Sequence, residues 1–289
     1  MRPSGHGSGR FFSFVEDKKD AVKRRDDKAT VLDFARWKGE GRKIVVITAY
    51  DALFARIFDE AGVDAILVGD SLGQVVLGLP NTLGVTMEDM LRHTAAAGRG
   101  TVRAFLIADM PFLSYQTGPK EAIRNAGALL RAGAESVKLE GGRNMEGVIR
   151  AIAGCDIPVM GHIGLTPQSV HRMGGYRVQG KQEAARRRLL DDARAVQDAG
   201  AYSVVLEGMP ADLAGEITEE LAIPTIGIGA GPRCDGQVLV MQDLLGLFEE
   251  FRPKFVKRFG ELRRPVHDAV RAFADEVRSG KFPGKEHSF

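Results

Sequence analysis

Ala132-Gly133-Ala134-Glu135-Ser136-Val137-Lys138-Leu139-Glu140-Gly141 and, 67 residues later, Ala199-Gly200-Ala201-Tyr202-Ser203-Val204-Val205-Leu206-Glu207-Gly208 repeat one pattern. In each, a glycine that accepts a left-handed backbone closes a helical stretch, and a buried strand follows. Several of the chain's apolar runs, Ala65 to Val68 among them, are nearly continuous rather than alternating, as expected of a parallel sheet when helices cover it and both its faces are buried. Ala61-Gly62-Val63 before Ala65-Ile66-Leu67-Val68-Gly69-Asp70 reads as a third copy with a shifted end.

Outward from these copies the same alternation runs through the chain. Short β-branched runs predict eight strands, at 44–49, 65–68, 104–108, 136–139, 158–163, 203–206, 224–228 and 238–241. Stretches of helical period lie between them at 51–61, 87–97, 119–132, 183–199 and 211–221. A further helix is expected over 30–38, capped by Thr30 with Gly39 just past its end, and two more close the chain at 254–259 and 266–278. Eight such units favour a (β/α)8 barrel of the TIM type, residues 29–289 forming one domain. An open doubly wound sheet shares the alternation and is the rival. Residues 1–28 mix Gly, Ser and both charge signs and read as a solvated arm.

Composition narrows the function. Lys and Arg number 40 against 38 Asp and Glu, a balance that argues against nucleic acid as the main partner. An apolar share of 44% excludes disorder of the whole chain. Two distant cysteines, Cys155 and Cys234, exclude a disulfide scaffold or a four-cysteine zinc site and suit a reducing, cytoplasmic setting. No apolar stretch approaches the roughly 18 residues of a membrane helix, and the first ten residues lack a signal peptide's apolar core. The expected protein is soluble and acts on small molecules.

The C-terminal ends of barrel strands form the active-site face. Six ionisable residues fall there: Asp70, Asp109, Lys138, Glu140, His162 and Glu207. Their convergence costs desolvation unless something compensates them. Asp70, Asp109 and Glu140 come from three neighbouring strands, so either their pKa values rise or a cation sits among them; for hard oxygen donors, magnesium is the natural ion. A helix cap or loop hydrogen bond is the plainer role for any one of these acids. Lys138 precedes Glu140 by two positions, so strand alternation points both at the axis, where the ammonium meets an anionic substrate. A Schiff-base role is the rival, opposed by carboxylates that hold the amine protonated, and a simple ion pair is the bland alternative. Glu207 stands where Val205 replaces the lysine of the other copy. It lacks a cation from its own strand, and in that apolar company it suits a general base. His162 is a candidate donor to substrate, or a core histidine bonded to backbone. His171 with Met173-Gly174-Gly175-Tyr176 lies in a Gly-rich loop suited to a lid. Gly227-Ile228-Gly229-Ala230-Gly231 would let backbone approach a ligand but lacks the spacing of a dinucleotide fingerprint.

Longer motifs carry a resemblance. They are Thr48-Ala49-Tyr50-Asp51, Val68-Gly69-Asp70-Ser71-Leu72-Gly73, Asp109-Met110-Pro111-Phe112, Val137-Lys138-Leu139-Glu140-Gly141-Gly142, Gly161-His162-Ile163-Gly164-Leu165-Thr166-Pro167-Gln168 and the 227–231 glycine run. From about Thr30 to the C-terminus the chain resembles the ketopantoate (3-methyl-2-oxobutanoate) hydroxymethyltransferases, among the phosphoenolpyruvate-mutase-like barrels. The resemblance implies Mg2+ on Asp70, Asp109 and Glu140. It implies oxo-acid contacts from Asp70, Ser71, Asp109 and Lys138, and Glu207 as catalytic base. The implied reaction moves a hydroxymethyl group from 5,10-methylenetetrahydrofolate to 3-methyl-2-oxobutanoate and yields 2-dehydropantoate for pantothenate and coenzyme A. The folate donor comes from the resemblance alone, as does a homo-oligomer, with a decamer as the family form; the final helices are candidates for the subunit contacts. A lyase or mutase of related 2-oxo acids and a non-catalytic binding barrel are the alternatives on the same scaffold.

Overall fold

The structure, a computed structural model, describes residues 28–248 and 253–289. The expected arm therefore lies outside the described residues except for Lys28. That residue is anchored, its ammonium 2.8 Å from Glu135 and 2.8 Å from the Ala104 carbonyl.

Eight parallel strands close into a barrel in chain order: β1 (Ile44–Thr48), β2 (Ala65–Val68), β3 (Phe105–Asp109), β4 (Ser136–Glu140), β5 (Val159–Gly164), β6 (Ser203–Glu207), β7 (Thr225–Ile228) and β8 (Gly236–Leu239). Pairing of β8 with β1 removes the open-sheet alternative. Helix α1 (Val31–Gly39) precedes the barrel. Around it run α2 (Ala52–Glu60), α3 (Leu72–Val75), α4 (Met87–Gly100), α5 (Pro119–Arg131), α6 (Glu146–Ala153), α7 (Val170–Met173), α8 (Glu183–Asp198) and α9 (Ala211–Glu220), and α10 (Met241–Leu244) and α11 (Arg263–Arg278) follow β8. The glycines of the three sequence copies, Gly62, Gly133 and Gly200, all take positive φ (85°, 114° and 97°), so the repeat is a repeat of helix endings as well as of strands.

The strands are buried on both faces because two cores meet at the sheet. Outward residues such as Ile66, Leu106, Leu139 and Leu206 pack against the helices. Inward residues such as Val46, Leu67, Ile107, Met160 and Val205 fill the barrel, and Phe34 and Trp37 of α1 close its N-terminal end. Each of these apolar side chains contributes about 1.5–3 kcal/mol when fully buried. Along the inward rows the chemistry then changes: Phe105 and Ile107 lead to Asp109, Ser136 to Lys138 and Glu140, Met160 to His162, and Val205 to Glu207. The apolar floor is what permits an ionisable layer to be held at the other end.

Three sequence expectations need correction. The last strand lies at Gly236–Leu239 rather than 238–241, because it pairs with β1 from Ile44 opposite Gly236 while the Met241 N–H donates to Thr48 Oγ1 and begins α10. Residues 254–259 are not helical: the Phe259 N–H bonds the Leu244 carbonyl at 2.9 Å, tying this segment to α10. Gly39 is the last residue of α1 rather than the one past it, and Gly41 takes the left-handed conformation. The final helix does form, as α11, and none of its residues is buried. Val266, Val270, Phe273 and Val277 make an exposed apolar stripe along it. Among the described residues no helix is long and apolar enough to cross a membrane.

Candidate active site

The barrel brings the six candidate residues to one mouth. Register does part of this: Asp109 stands beside Lys138, and Glu140 beside His162, on hydrogen-bonded neighbouring strands whose paired residues share a face. Lys138 Nζ lies 2.8 Å from Asp109 Oδ1, and both side chains are almost wholly buried. Just past β2, the Asp70 N–H donates to Asp109 Oδ2 at 3.0 Å. Ser71 follows, its hydroxyl 2.9 Å from that of buried Tyr50. A Cβ on Gly69 would come within 2.7 Å of Ser71 Oγ, so a side chain at this bend would displace that hydroxyl.

Charge is unevenly distributed here. Burial, then repulsion from Asp109, pushes the Asp70 carboxyl up to about 7 although Lys138 and Gln168 pull it down. Burial and the charge of Asp70 raise Glu140 well above the ordinary carboxylate range. Burial pulls the Lys138 ammonium down, but Asp109, Asp70 and Glu140 outweigh it and hold it above the usual lysine range. That protonation opposes imine chemistry. His162 is shifted downward by burial and by Lys138, so its imidazole is neutral.

The tautomer of His162 follows from its neighbours. The Lys138 ammonium, a donor only, lies 3.4 Å from Nδ1, which must accept; the ring proton is then on Nε2, 3.2 Å from Glu207 Oε2. That contact is close enough for a hydrogen bond but misaligned, so Nε2 is left without a formal partner. The side chain of Glu207 is 16% exposed, against 5% for Glu140. Its company therefore includes an imidazole, and the purely apolar setting read from sequence is corrected to that extent.

Gln168, at the end of the motif that begins at Gly161, takes a role that only the tertiary structure assigns. Its Nε2 donates to Asp70 Oδ2 at 2.8 Å and to the Met110 carbonyl at 3.0 Å, and its backbone N–H donates to Glu140 Oε2 at 3.0 Å. Tyr115 fixes the amide, donating to its Oε1 at 2.7 Å while accepting the Glu140 N–H at 3.1 Å. The available signal was Pro167, which opens a 3-10 turn (Pro167–Ser169) and leaves the next N–H free to find an acceptor. Tyr176, half exposed in the Gly-rich loop, is raised by burial and by Asp70 and Glu207, which places the loop beside the mouth. The 227–231 glycines serve packing instead: a Cβ at Gly229 would meet the Phe255 ring at 2.8 Å and one at Gly231 would meet Ala211 at 2.4 Å.

The donor set can be tested against a magnesium ion. Asp70, Asp109, Glu140 and Glu207 face a single ammonium and a neutral imidazole, so the mouth is short of positive charge and rich in hard oxygen. Gln168 engages one oxygen each of Asp70 and Glu140 and leaves the other without a hydrogen bond among the described residues. The carboxylates are spaced by these protein donors, and no group of three or more His, Cys, Asp or Glu among the described residues stands ready as a ligand set. Chemistry and charge fit a divalent ion, with Lys138 and Gln168 as the donors it would have to work around.

Comparison with known proteins agrees with this geometry. The sequence model of the ketopantoate hydroxymethyltransferase family matches residues 28–285. The chain is 60% identical over 263 residues to the 3-methyl-2-oxobutanoate hydroxymethyltransferase of Pelobacter propionicus, covering 91% of this chain and 97% of that one. To the same enzyme of Pyrobaculum islandicum it is 57% identical over 258 residues, covering 89% and 97%. Among solved structures, phosphonopyruvate hydrolase in complex with oxalate and Mg++ superposes with a TM-score of 0.58 at 15% identity, over 90% of this chain and 93% of that one. A 2,3-dimethylmalate lyase of the PEP mutase/isocitrate lyase superfamily gives 0.55 at 19% identity, over 90% and 91%. These two similarities concern the fold alone.

Proposed function

The chain belongs to the ketopantoate hydroxymethyltransferase family, and from that premise we propose that the mouth of its barrel works through an enolate of the bound oxo acid. The enzyme transfers a hydroxymethyl group to 3-methyl-2-oxobutanoate, making 2-dehydropantoate for pantothenate. In this reading the one-carbon donor is 5,10-methylenetetrahydrofolate. The observation that carries it is the division of charge: one buried ammonium set against Asp70, Asp109 and Glu140 on one side, and Glu207 against a neutral imidazole on the other.

The Lys138 ammonium balances the substrate carboxylate, and the Ser71 hydroxyl, held by Tyr50, orients it. Glu207 takes the proton from C3, a poor acid in water, and His162 Nε2–H steadies the carboxylate that takes it. Water detaches the one-carbon unit from the two folate nitrogens at the oxidation level of formaldehyde and releases tetrahydrofolate; the carbon so freed adds to that unit, and the new alkoxide takes a proton. Asp70, Asp109 and Glu140 would hold a magnesium ion, which when bound supplies Lewis-acid stabilisation of negative charge on the 2-oxo oxygen.

Solvent deuterium exchange at C3 of 3-methyl-2-oxobutanoate, followed by proton NMR with and without Mg2+ and without the folate donor, tests acid, metal and base together. Exchange should depend on the ion and should be lost in Glu207→Gln; undiminished exchange in that variant removes Glu207 as the base.

The same reading makes the enzyme a homo-oligomer, with a decamer as the family form, and the support on this chain is the uncovered stripe of α11. Val270→Asp should lower the mass measured by light scattering, and an unchanged mass would clear α11 of that role. Cytoplasmic residence fits two unbridged cysteines, one exposed and one buried. Residues 29–289 act as one catalytic domain in this account.

A further inference from the structure

A cleft of about 1060 Å³ opens beside Glu140 and Gln168 and runs outward past α7 and α8. That is about the upper limit of ordinary small-molecule sites and more than a five-carbon oxo acid needs. Its walls near the mouth carry Phe112, Tyr115, Met145 and Met173, surfaces suited to a flat ring. Farther out it is charged. Arg187 is paired with Glu183 at 3.0 Å and Asp191 with Arg194 at 3.0 Å, so these cancel locally. Arg143, Arg172 and Arg188 come from three different segments, line the same cleft and make no direct ion pair among the described residues. The one carboxylate among them is Asp192, whose Oδ1 accepts the backbone N–H of Arg143 at 2.8 Å and whose charge the Arg188 and Arg172 guanidiniums both influence. Three guanidiniums against one acid leave the outer cleft positive, next to a mouth that is negative. A ligand suited to both has an uncharged flat head directed inward and carboxylates directed outward.

We propose that this cleft seats the one-carbon donor, with the glutamate carboxylates of its tail held by Arg143, Arg172 and Arg188. The inference rests on the reading of the donor as a tetrahydrofolate and extends it to the residues that bind it. Each further γ-linked glutamate adds a carboxylate to the tail, so the site should distinguish donors by tail length. For exposed charge pairs the gain is modest, about 10-fold in KM between the monoglutamyl and tetra-γ-glutamyl donors at low salt, shrinking as salt screens it.

The test uses the full-length wild-type protein and the double variants Arg172→Gln/Arg188→Gln and Arg172→Lys/Arg188→Lys. KM is measured for both donors, and binding of tetrahydrofolate and its tetra-γ-glutamyl form is measured by calorimetry without oxo acid, so that one readout is free of turnover. The proposal expects the difference between donors in wild type, its reduction to about 2-fold or less in the glutamine pair, and its retention in the lysine pair. Equal affinity for the two donors in wild type overturns it, as does inorganic phosphate competing as well as free tri-γ-glutamate. If wild type exchanges the C3 hydrogen but binds neither folate, the donor assignment itself falls; if exchange is absent, the enolate reading falls first.

Discussion

Strands β4 and β6 are copies of one sequence unit with different outcomes. In β4, Lys138 and Glu140 are both buried, the lysine beside Asp109 on the neighbouring strand and the glutamate beside His162. In β6, Val205 takes the place of the lysine and joins the apolar filling of the barrel, while Glu207 pairs in register with Gly164 and Ile228, neither of which has a polar side chain. One copy therefore yields a carboxylate pushed strongly toward its neutral form and an ammonium locked in place. The other yields a carboxylate with partial access to solvent and a single imidazole for company. The difference teaches that a strand-end glutamate acquires its role from the strands on either side, since those supply the groups it must share charge with.

The largest expected effect falls on the β6 side. Glu207→Gln should slow C3 exchange by about 10²- to 10⁴-fold while oxo-acid binding, read by calorimetry, survives, because a general base acts in the proton transfer and not in docking. On the β4 side, Lys138→Met should cost about 3–5 kcal/mol in the denaturant midpoint, since it strands buried Asp109 without its ammonium. A loss below about 1 kcal/mol would mean that the two copies differ less in charge than the Lys138–Asp109 pair implies. Gln168→Leu should cost about 1–3 kcal/mol by removing the amide from which Asp70 Oδ2 and the Met110 carbonyl accept, and should weaken oxo-acid binding before it slows exchange.

The smallest effect is one of pH. Asp70 has a folded-state pKa raised to about 7 from its ordinary 3.8, so the folded protein holds this proton more tightly than the unfolded chain does. Its contribution to stability is then fully present below the unfolded value and is lost as pH rises through the folded one. Protein stripped of divalent ions should show a Tm that declines as pH is raised through neutrality, and Mg2+ should remove most of the decline. A flat profile without the ion would show that Lys138 alone compensates the β4 side.

Much of this architecture is legible along the chain. The Gly62, Gly133 and Gly200 endings and the apolar runs after them mark the barrel units, because a buried parallel strand and a helix stop each leave a local signature. The acids at strand ends are equally visible. Residues 254–259 carry a helical period without forming a helix, because that period is a local property, whereas the Phe259 N–H is taken by the Leu244 carbonyl of α10. Gln168 escaped notice for the opposite reason, as its acceptor Asp70 is 98 residues away.

From the order of residues alone come the number of strands, their burial on both faces and the identity of the ionisable groups at their ends, since each of these depends on spacing within a few turns or positions. Barrel closure decided the remainder: that Lys138 answers Asp109, that His162 is a neutral donor toward Glu207, and that Gln168 ties Asp70 to Glu140. Electrostatic energy depends on distance through space and on exclusion of water, and both are set only when strands far apart in sequence are brought side by side.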